Sequence, residues 1–218
     1  MNAFQKFLSY LFPVLIERRT GELSHDLSVY LHRGKLKLYS EETNYSFGQL
    51  HVVFQKALRN FKYQETNTSK ILILGFGAGS IASILRNEMH IDVPIVGVEK
   101  DATVIRLYEK YFSPALFSVY VIEEDALSYV KNYSELFDLI LVDIFIDRTV
   151  PSFCYEQEFI VNLNRILTKS GTVVFNTITS TLTEEVFEKS IHKHFTIKNK
   201  NRIFRQNCVY FLMKKLNR

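Results

Sequence analysis

Ten residues, Ile71-Leu-Ile-Leu-Gly-Phe-Gly-Ala-Gly-Ser80, constrain the fold of this 218-residue chain more than any other stretch. Four consecutive branched apolar side chains suit a strand buried on both faces, as in the interior of a parallel sheet. Gly75, Gly77 and Gly79 then alternate, and a helical pattern opens at Ser80. Lacking a Cβ, these glycines can take positive φ and let the backbone approach a ligand closely. A turn of this kind at a helix N-terminus is expected to aim free N–H groups at a polar or anionic group. A second buried run, Ile95-Val-Gly-Val98, ends in Glu99, twenty residues after Gly79. That is the place for a carboxylate that accepts hydrogen bonds from the hydroxyls of a ribose. The two features together predict a nucleoside-containing cofactor at the C-terminal edge of a parallel sheet.

The rest of the chain alternates strand and helix. Strands are expected at 71–75, 94–98, 118–122, 138–142 and 172–176, with helices at 79–89, 101–111, 125–132, 155–168 and 183–193. Such alternation means a parallel sheet with helices on both faces. Two extended segments, 195–200 and 209–213, close the chain around a polar turn at 201–207 with no helix between them, so one of them must run antiparallel. Upstream, Leu27–His32 and Lys35–Tyr39 alternate apolar and polar residues around Arg33-Gly34, a hairpin pattern, and 14–19 reads as extended. Residues 1–45 form a small N-terminal helix and β-hairpin unit on this reading, and 46–218 the cofactor-binding domain. Apolar residues at Leu50, Val53, Phe54, Ala57, Leu58 and Phe61 follow a helical spacing in between.

Composition narrows the function classes. With 47% apolar and 23% charged residues the chain has the balance of a soluble globular protein. Cys154 and Cys208 are far apart and form no CxxC, so neither a disulfide framework nor a zinc site is indicated, and no histidine spacing suits a metal. A reducing, cytoplasmic setting is expected. Nine of the 27 Lys and Arg lie from Lys189 onward, where there is no Asp or Glu. A basic tail can meet nucleic acid, but alternating cations on an edge strand, where they discourage aggregation, account for it better. Residues 4–16 are apolar but interrupted by Lys6 and Pro13, too short to span a bilayer, and read as a short amphipathic helix packed on the body.

Three acidic residues follow three successive strands: Glu99, Asp125 in Glu123-Glu-Asp-Ala126, and Asp143 in Leu139-Ile-Leu-Val-Asp143. Ligands of open α/β sheets bind outside the carboxyl ends of the strands, so all three can face one crevice. Glu99 would hold the ribose, Asp125 an adenine amino group, and Asp143 would lie nearest the reactive end. Acidic residues after strands also cap helices, and Asp101 and Asp125 could do only that.

With these residues in view the chain resembles the class I S-adenosylmethionine-dependent methyltransferase fold, and within it the spermidine synthase (polyamine aminopropyltransferase) group. The likeness rests on the glycine motif, on Val98-Glu-Lys-Asp101 leading into residues 104–112, on Asp125-Ala126, and on Phe137-Asp-Leu-Ile-Leu-Val-Asp143 followed by Phe159 and Leu163-Asn-Arg-Ile-Leu-Thr-Lys-Ser-Gly171. It implies a Rossmann-like seven-stranded methyltransferase sheet with an antiparallel C-terminal strand pair, preceded by the small β-rich unit. It also implies that Gly75, Gly77, Gly79, Glu99, Lys100, Asp125 and Ala126 hold S-adenosylmethionine or its decarboxylated form. The catalytic residues it implies are Asp143 and Asp147.

Departures from the group's pattern shape the functional expectation. Its glycine loop carries an acidic residue that favours the decarboxylated cofactor, where this chain has Ala78. Its catalytic loop spaces two aspartates by three, whereas Asp143-Ile-Phe-Ile-Asp147 spaces them by four with apolar residues between. The stretch that would hold its assisting tyrosine reads Tyr45-Ser-Phe-Gly-Gln-Leu-His51, with Tyr45 and His51 as candidates for the site wall or, equally, for packing. The expected activity is therefore methyl transfer to a small-molecule amine or hydroxyl. Aminopropyl transfer, with Asp143 as base and Asp147 as amine anchor, is the alternative, and a catalytically silent scaffold is a third reading. The expected partner is a small-molecule acceptor, with neither nucleic acid nor membrane, and homodimer formation is left open.

Overall fold

The computed structural model describes residues 3–21, 26–40, 49–59, 61, 69–146, 149–178, 180–204 and 206–215. Two sheets organise them. A three-stranded antiparallel sheet, ordered β1-β2-β3, is built from β1 (Val14–Arg19), β2 (Leu27–His32) and β3 (Lys35–Ser40). A seven-stranded sheet follows, ordered β6-β5-β4-β7-β8-β10-β9. Its strands are β4 (Ile71–Leu74), β5 (Ile95–Glu99), β6 (Val119–Glu123), β7 (Phe137–Val142), β8 (Leu167–Ile178), β9 (Phe195–Ile203) and β10 (Asn207–Lys214). Strands β4 to β8 are mutually parallel, and β10 runs antiparallel between β8 and β9. The antiparallel closing pair is as expected. The polar turn is shorter than its composition suggests, because β9 runs through to Ile203 and β10 begins at Asn207.

Each central strand is buried on both faces, and its two sets of alternate side chains enter two separate cores. Ile71, Ile73, Leu139, Leu141, Val174 and Val209 face one core, which is closed by α2 (Gln49–Leu58), by α3 (Ser80–Ser83) with its π-helical continuation Ile84–Glu88, and by α4 (Ala102–Tyr111). Leu27, Val29 and Leu38 of the small sheet join that same core. Leu72, Leu74, Ile140, Val142, Val173 and Phe175 face the other, closed by α5 (Ala126–Asn132), α6 (Gln157–Arg165) and α7 (Thr181–Ile191). The division expected between residues 45 and 46 lies outside the described residues.

The helix that follows the glycines widens into a π-turn where Arg86 is drawn inward. Its guanidinium is buried and donates to the carbonyls of Ile91, Val93, Phe117 and Ser118, tying the connections before β5 and β6 together. The β2–β3 hairpin turns through Arg33 (φ 51°) and Gly34 (φ 73°), the doubly positive geometry that matches strand twist. Its two turn N–H groups donate to the carbonyl and hydroxyl of Ser9 at the end of α1 (Ala3–Leu8). Most of the apolar surface of this segment does not pack on the body: Phe4 and Phe7 of α1 and Leu11 beyond it are each at least 65% exposed. Hydrogen bonding at the hairpin tip, rather than burial of an apolar face, seats this segment.

Candidate functional site

The strand order reverses between β4 and β7, which lie side by side although two other strands separate them in sequence. A crevice opens at such a reversal because the connections leave in opposite directions, and ligands of this architecture occupy it. The glycine loop leaves β4 on one side of this point, and Asp143 leaves β7 on the other. Gly75, Gly77 and Gly79 all hold positive φ (79°, 56° and 85°), as their alternation predicts. At Gly75 an added Cβ would lie 2.4 Å from the carbonyl oxygen of Asp143, so the two exits touch backbone to backbone.

The loop is organised from within. Phe76 folds back onto Gly97 of β5, where a Cβ would meet its ring at 2.2 Å, and packs edge-on against Tyr108 at 4.8 Å between centroids. Gly75 and Phe76 donate to the carbonyl of Val98, Gly77 to the Glu99 carboxylate, and Gly79 to the carbonyl of Phe76. Free N–H groups were expected here, but these donors are satisfied internally. What the loop offers a ligand is close backbone approach beside a carboxylate. Ala78 is fully buried in the first core, so the position that departs from the family pattern packs inward.

Glu99 is 7% exposed, and three backbone N–H groups reach its carboxylate, from Gly77 at 2.8 Å, Lys100 at 2.9 Å and Asp101 at 3.0 Å. Burial raises its pKa, and the three donors oppose that rise. A carboxylate has about four acceptor sites, so Glu99 keeps capacity for a hydroxyl. Asp101 is fully buried and caps α4 through Thr103 and Val104. Asp125 caps α5 through Oδ1, which accepts from Leu127 and Ser128, while its Oδ2 lies 3.3 Å from Lys100 Nζ. Capping is thus realised for both, and Asp125 retains one oxygen at the rim of the crevice. Ala126 is buried at the start of α5 and offers only its backbone.

Across four adjacent strands the edge therefore presents, in order, Asp125 after β6, Glu99 on β5, the glycine loop after β4 and Asp143 after β7. Strands lie about 4.8 Å apart, so β6 to β7 spans about 14 Å, room for a nucleoside extended by a short chain. The donor set fits an adenosyl group: a retained acceptor for ribose, a second for an exocyclic amine, and a carboxylate where the chain would end.

Asp143 differs in character from the others. Its carboxylate is desolvated, and burial pushes its pKa up to about 7. Asn176 on β8 opposes this, donating from Nδ2 to Oδ1 at 2.8 Å. Asn176 is itself fully buried and accepts from Asn207 Nδ2 on β10 at 3.2 Å. Neither asparagine was anticipated. The available signal was an amide within Val173-Val-Phe-Asn-Thr177, where the flanking residues read as buried strand. Asp147 and Tyr45 lie outside the described residues. His51 is placed away from a free role in the wall: its ring nitrogens bond Ser80 Oγ at 2.9 Å and Glu88 Oε1 at 3.1 Å, joining α2 to the helix after the loop. Among the described residues no cluster of three or more His, Cys, Asp or Glu could hold a metal, and no helix is long and apolar enough to cross a membrane.

Comparison with known proteins agrees with this architecture. Residues 53–213 match the model of the spermine/spermidine synthase domain. A polyamine aminopropyltransferase of Vibrio vulnificus is 33% identical over 119 residues, which is 51% of this chain and 38% of that protein. Matches to the curated relatives cover from 24% to 52% of their own lengths, so the chain spans about half of them or less. Among solved structures, spermidine synthase from Thermotoga maritima superposes with a TM-score of 0.65 at 16% identity, over 93% of this chain and 74% of that one. Human methyltransferase-like protein 13, solved with SAH, gives 0.63 at 20% identity over 77% and 83%. Likeness at these identities shows a shared Rossmann-like fold.

Proposed function

The chain belongs to the spermine/spermidine synthase family, and from that premise we propose that it transfers an aminopropyl group from decarboxylated S-adenosylmethionine to a small amine acceptor. The observation that carries this reading is Asp143: a desolvated carboxylate with a pKa of about 7, at the tip of β7 beside the glycine loop. An amine acceptor is protonated at neutral pH and cannot attack until it loses a proton. A base poised near the working pH can take that proton and still turn over. The donor would supply a carbon activated by a positively charged sulfur. Glu99 and Asp125 would hold the nucleoside end, and the Gly75–Gly79 backbone would pass close to the sulfur-bearing chain. Asp143 would first accept the proton of the ammonium; the freed lone pair then forms the C–N bond as the C–S bond breaks, its electron pair remaining on sulfur. Most of the acceleration would come from holding amine and carbon in line. Asp147, four residues further on, is the proposed anchor for the distal amine, and Lys100 would close the adenine side through its contact with Asp125.

Methyl transfer from S-adenosylmethionine itself is the second reading, and Ala78 is the observation that favours it. Its buried side chain leaves the loop without an acidic group to prefer an amine over an amino acid at the end of the donor. Calorimetric titration with S-adenosylmethionine, its decarboxylated form and S-adenosylhomocysteine separates the readings. Tighter binding of the decarboxylated donor is expected. Preference for the carboxylated pair would favour methyl transfer, and no binding by any of them would leave a silent scaffold.

A further inference from the structure

We propose that Asn176, locked in one amide orientation by Asn207, is a positioning residue that aims the Asp143 carboxylate at the acceptor. The inference rests on the reading of Asp143 as the proton acceptor, and its geometry stands apart from the identity of the donor. Two side-chain amides sit at the end of the sheet, where Asn176 pairs with Val209 and Asn207 with Ile178 and Ile203; Asn176 is fully buried and Asn207 is 8% exposed. Burying an amide costs free energy unless its groups are paired. Here they form one directed chain: Asn207 Nδ2 donates to Asn176 Oδ1 at 3.2 Å, and Asn176 Nδ2 donates to Asp143 Oδ1 at 2.8 Å.

Direction is the informative property of this chain. An isolated Asn176 could present either its NH₂ or its carbonyl to Asp143. With Asn207 donating to the carbonyl, only the NH₂ remains for the carboxylate. A donor there favours the ionised acid, whereas a flipped amide would present an oxygen that only a protonated acid could satisfy. The hydrogen bond also fixes Oδ1 and leaves Oδ2 as the oxygen Asn176 does not engage. Among the described residues, the groups the structure places against Asp143, the Gly75 backbone and the Asn176 amide, carry no charge. The amide chain is therefore the polar influence that offsets burial. Asn207 lies on β10 and never touches Asp143, so it acts only through Asn176.

The test uses the full chain and two variants, Asn176→Ala and Asn207→Ala, with Asp143→Asn to assign the signal. The Asp143 carboxyl carbon is titrated by NMR in the ligand-free protein, and kcat and KM are measured across pH with decarboxylated S-adenosylmethionine and a diamine. Asn176→Ala is expected to raise the titration midpoint of Asp143 by about one pH unit or more, and Asn207→Ala to raise it by less. The acidic limb of kcat should move with it, a fall of roughly tenfold at pH 6 for each unit, with KM for the donor unchanged. Should Asn176→Ala fail to fold, Asn207→Ala alone decides, since it leaves Asn176 in place. A lowered melting temperature with an unmoved Asp143 midpoint would make the amides merely structural and overturn the proposal. A shifted midpoint without aminopropyl transfer would sustain the positioning role and count against the proposed reaction instead.

Discussion

Gly75→Ala should uncouple the cofactor loop from the catalytic strand, and its cost can be worked from the backbone. Gly75 has φ of 79°, which costs an L-residue about 1–2 kcal/mol. The added Cβ would sit 2.4 Å from the Asp143 carbonyl oxygen and 2.8 Å from its carbonyl carbon, both main-chain atoms at a strand end. No rotamer change can relieve that contact, so an overpacking cost of about 1–3 kcal/mol adds to it. The total, about 2–5 kcal/mol, corresponds to a fall in Tm of about 4–20 °C for a chain of this size. Gly97→Ala is the internal control. The three atoms nearest its Cβ would all belong to the Phe76 ring, a side chain, and its φ is not positive. Trimming the ring in Phe76→Ala should therefore recover part of the Gly97→Ala loss, while no trimming rescues Gly75→Ala. Differential scanning calorimetry gives the stabilities, and titration with the adenosyl donor gives binding. A Gly75→Ala protein that melts within about 1 °C of wild type and binds normally would refute the claim that the two strand exits are in contact.

Four further outcomes follow from the structure. Glu99→Gln keeps shape but removes the charge to which three N–H groups point, and adenosyl affinity by calorimetry should fall about 10- to 100-fold with the far-ultraviolet spectrum unchanged. Arg86→Lys should cost about 2–4 kcal/mol in urea unfolding, because an ammonium cannot fork to four carbonyls on two connections as the guanidinium does. Glu17 of β1 accepts from Lys110, Tyr111 and Arg19, which hold its pKa at about 2 against an ordinary 4.5. A depressed acid stabilises above its unfolded pKa, so the stability gap between wild type and Glu17→Gln should close as pH falls from 4.5 towards 2. Asp143 has the opposite sign: raised from 3.8 to about 7, it weakens the fold progressively as pH rises through that window. Asp143→Asn should accordingly melt higher than wild type above pH 7, by a margin that shrinks towards pH 4, while losing activity.

What could be read from the sequence follows from the range of the interactions involved. The glycine turn and the closing antiparallel pair are local patterns, written in consecutive residues, and both are found, although β8 begins at Leu167 and β9 and β10 run closer together than the pattern puts them. The capping of α5 by Asp125 was legible because capping is local as well. The Asp143–Asn176–Asn207 chain was not, since it joins three strands through side chains 31 to 33 residues apart. Asn207 even reads as turn, and pairing with Ile178 on one side and Ile203 on the other makes it strand. The internal satisfaction of the loop donors was hidden for the same reason, as it depends on Glu99 folding back onto Gly77. The apolar N-terminal helix misleads in the other direction: its spacing promises burial, and its seating comes from two hydrogen bonds to a distant hairpin.

The reaction itself is tested most directly by the product left on sulfur. The protein is incubated with both adenosyl donors and a mixture of small diamines, and the nucleoside products are resolved by mass spectrometry. Loss of an aminopropyl group from the decarboxylated donor leaves 5′-methylthioadenosine, and its accumulation in wild type but not in Asp143→Asn is the predicted result. Accumulation of S-adenosylhomocysteine instead would contradict aminopropyl transfer and establish the methyl reaction.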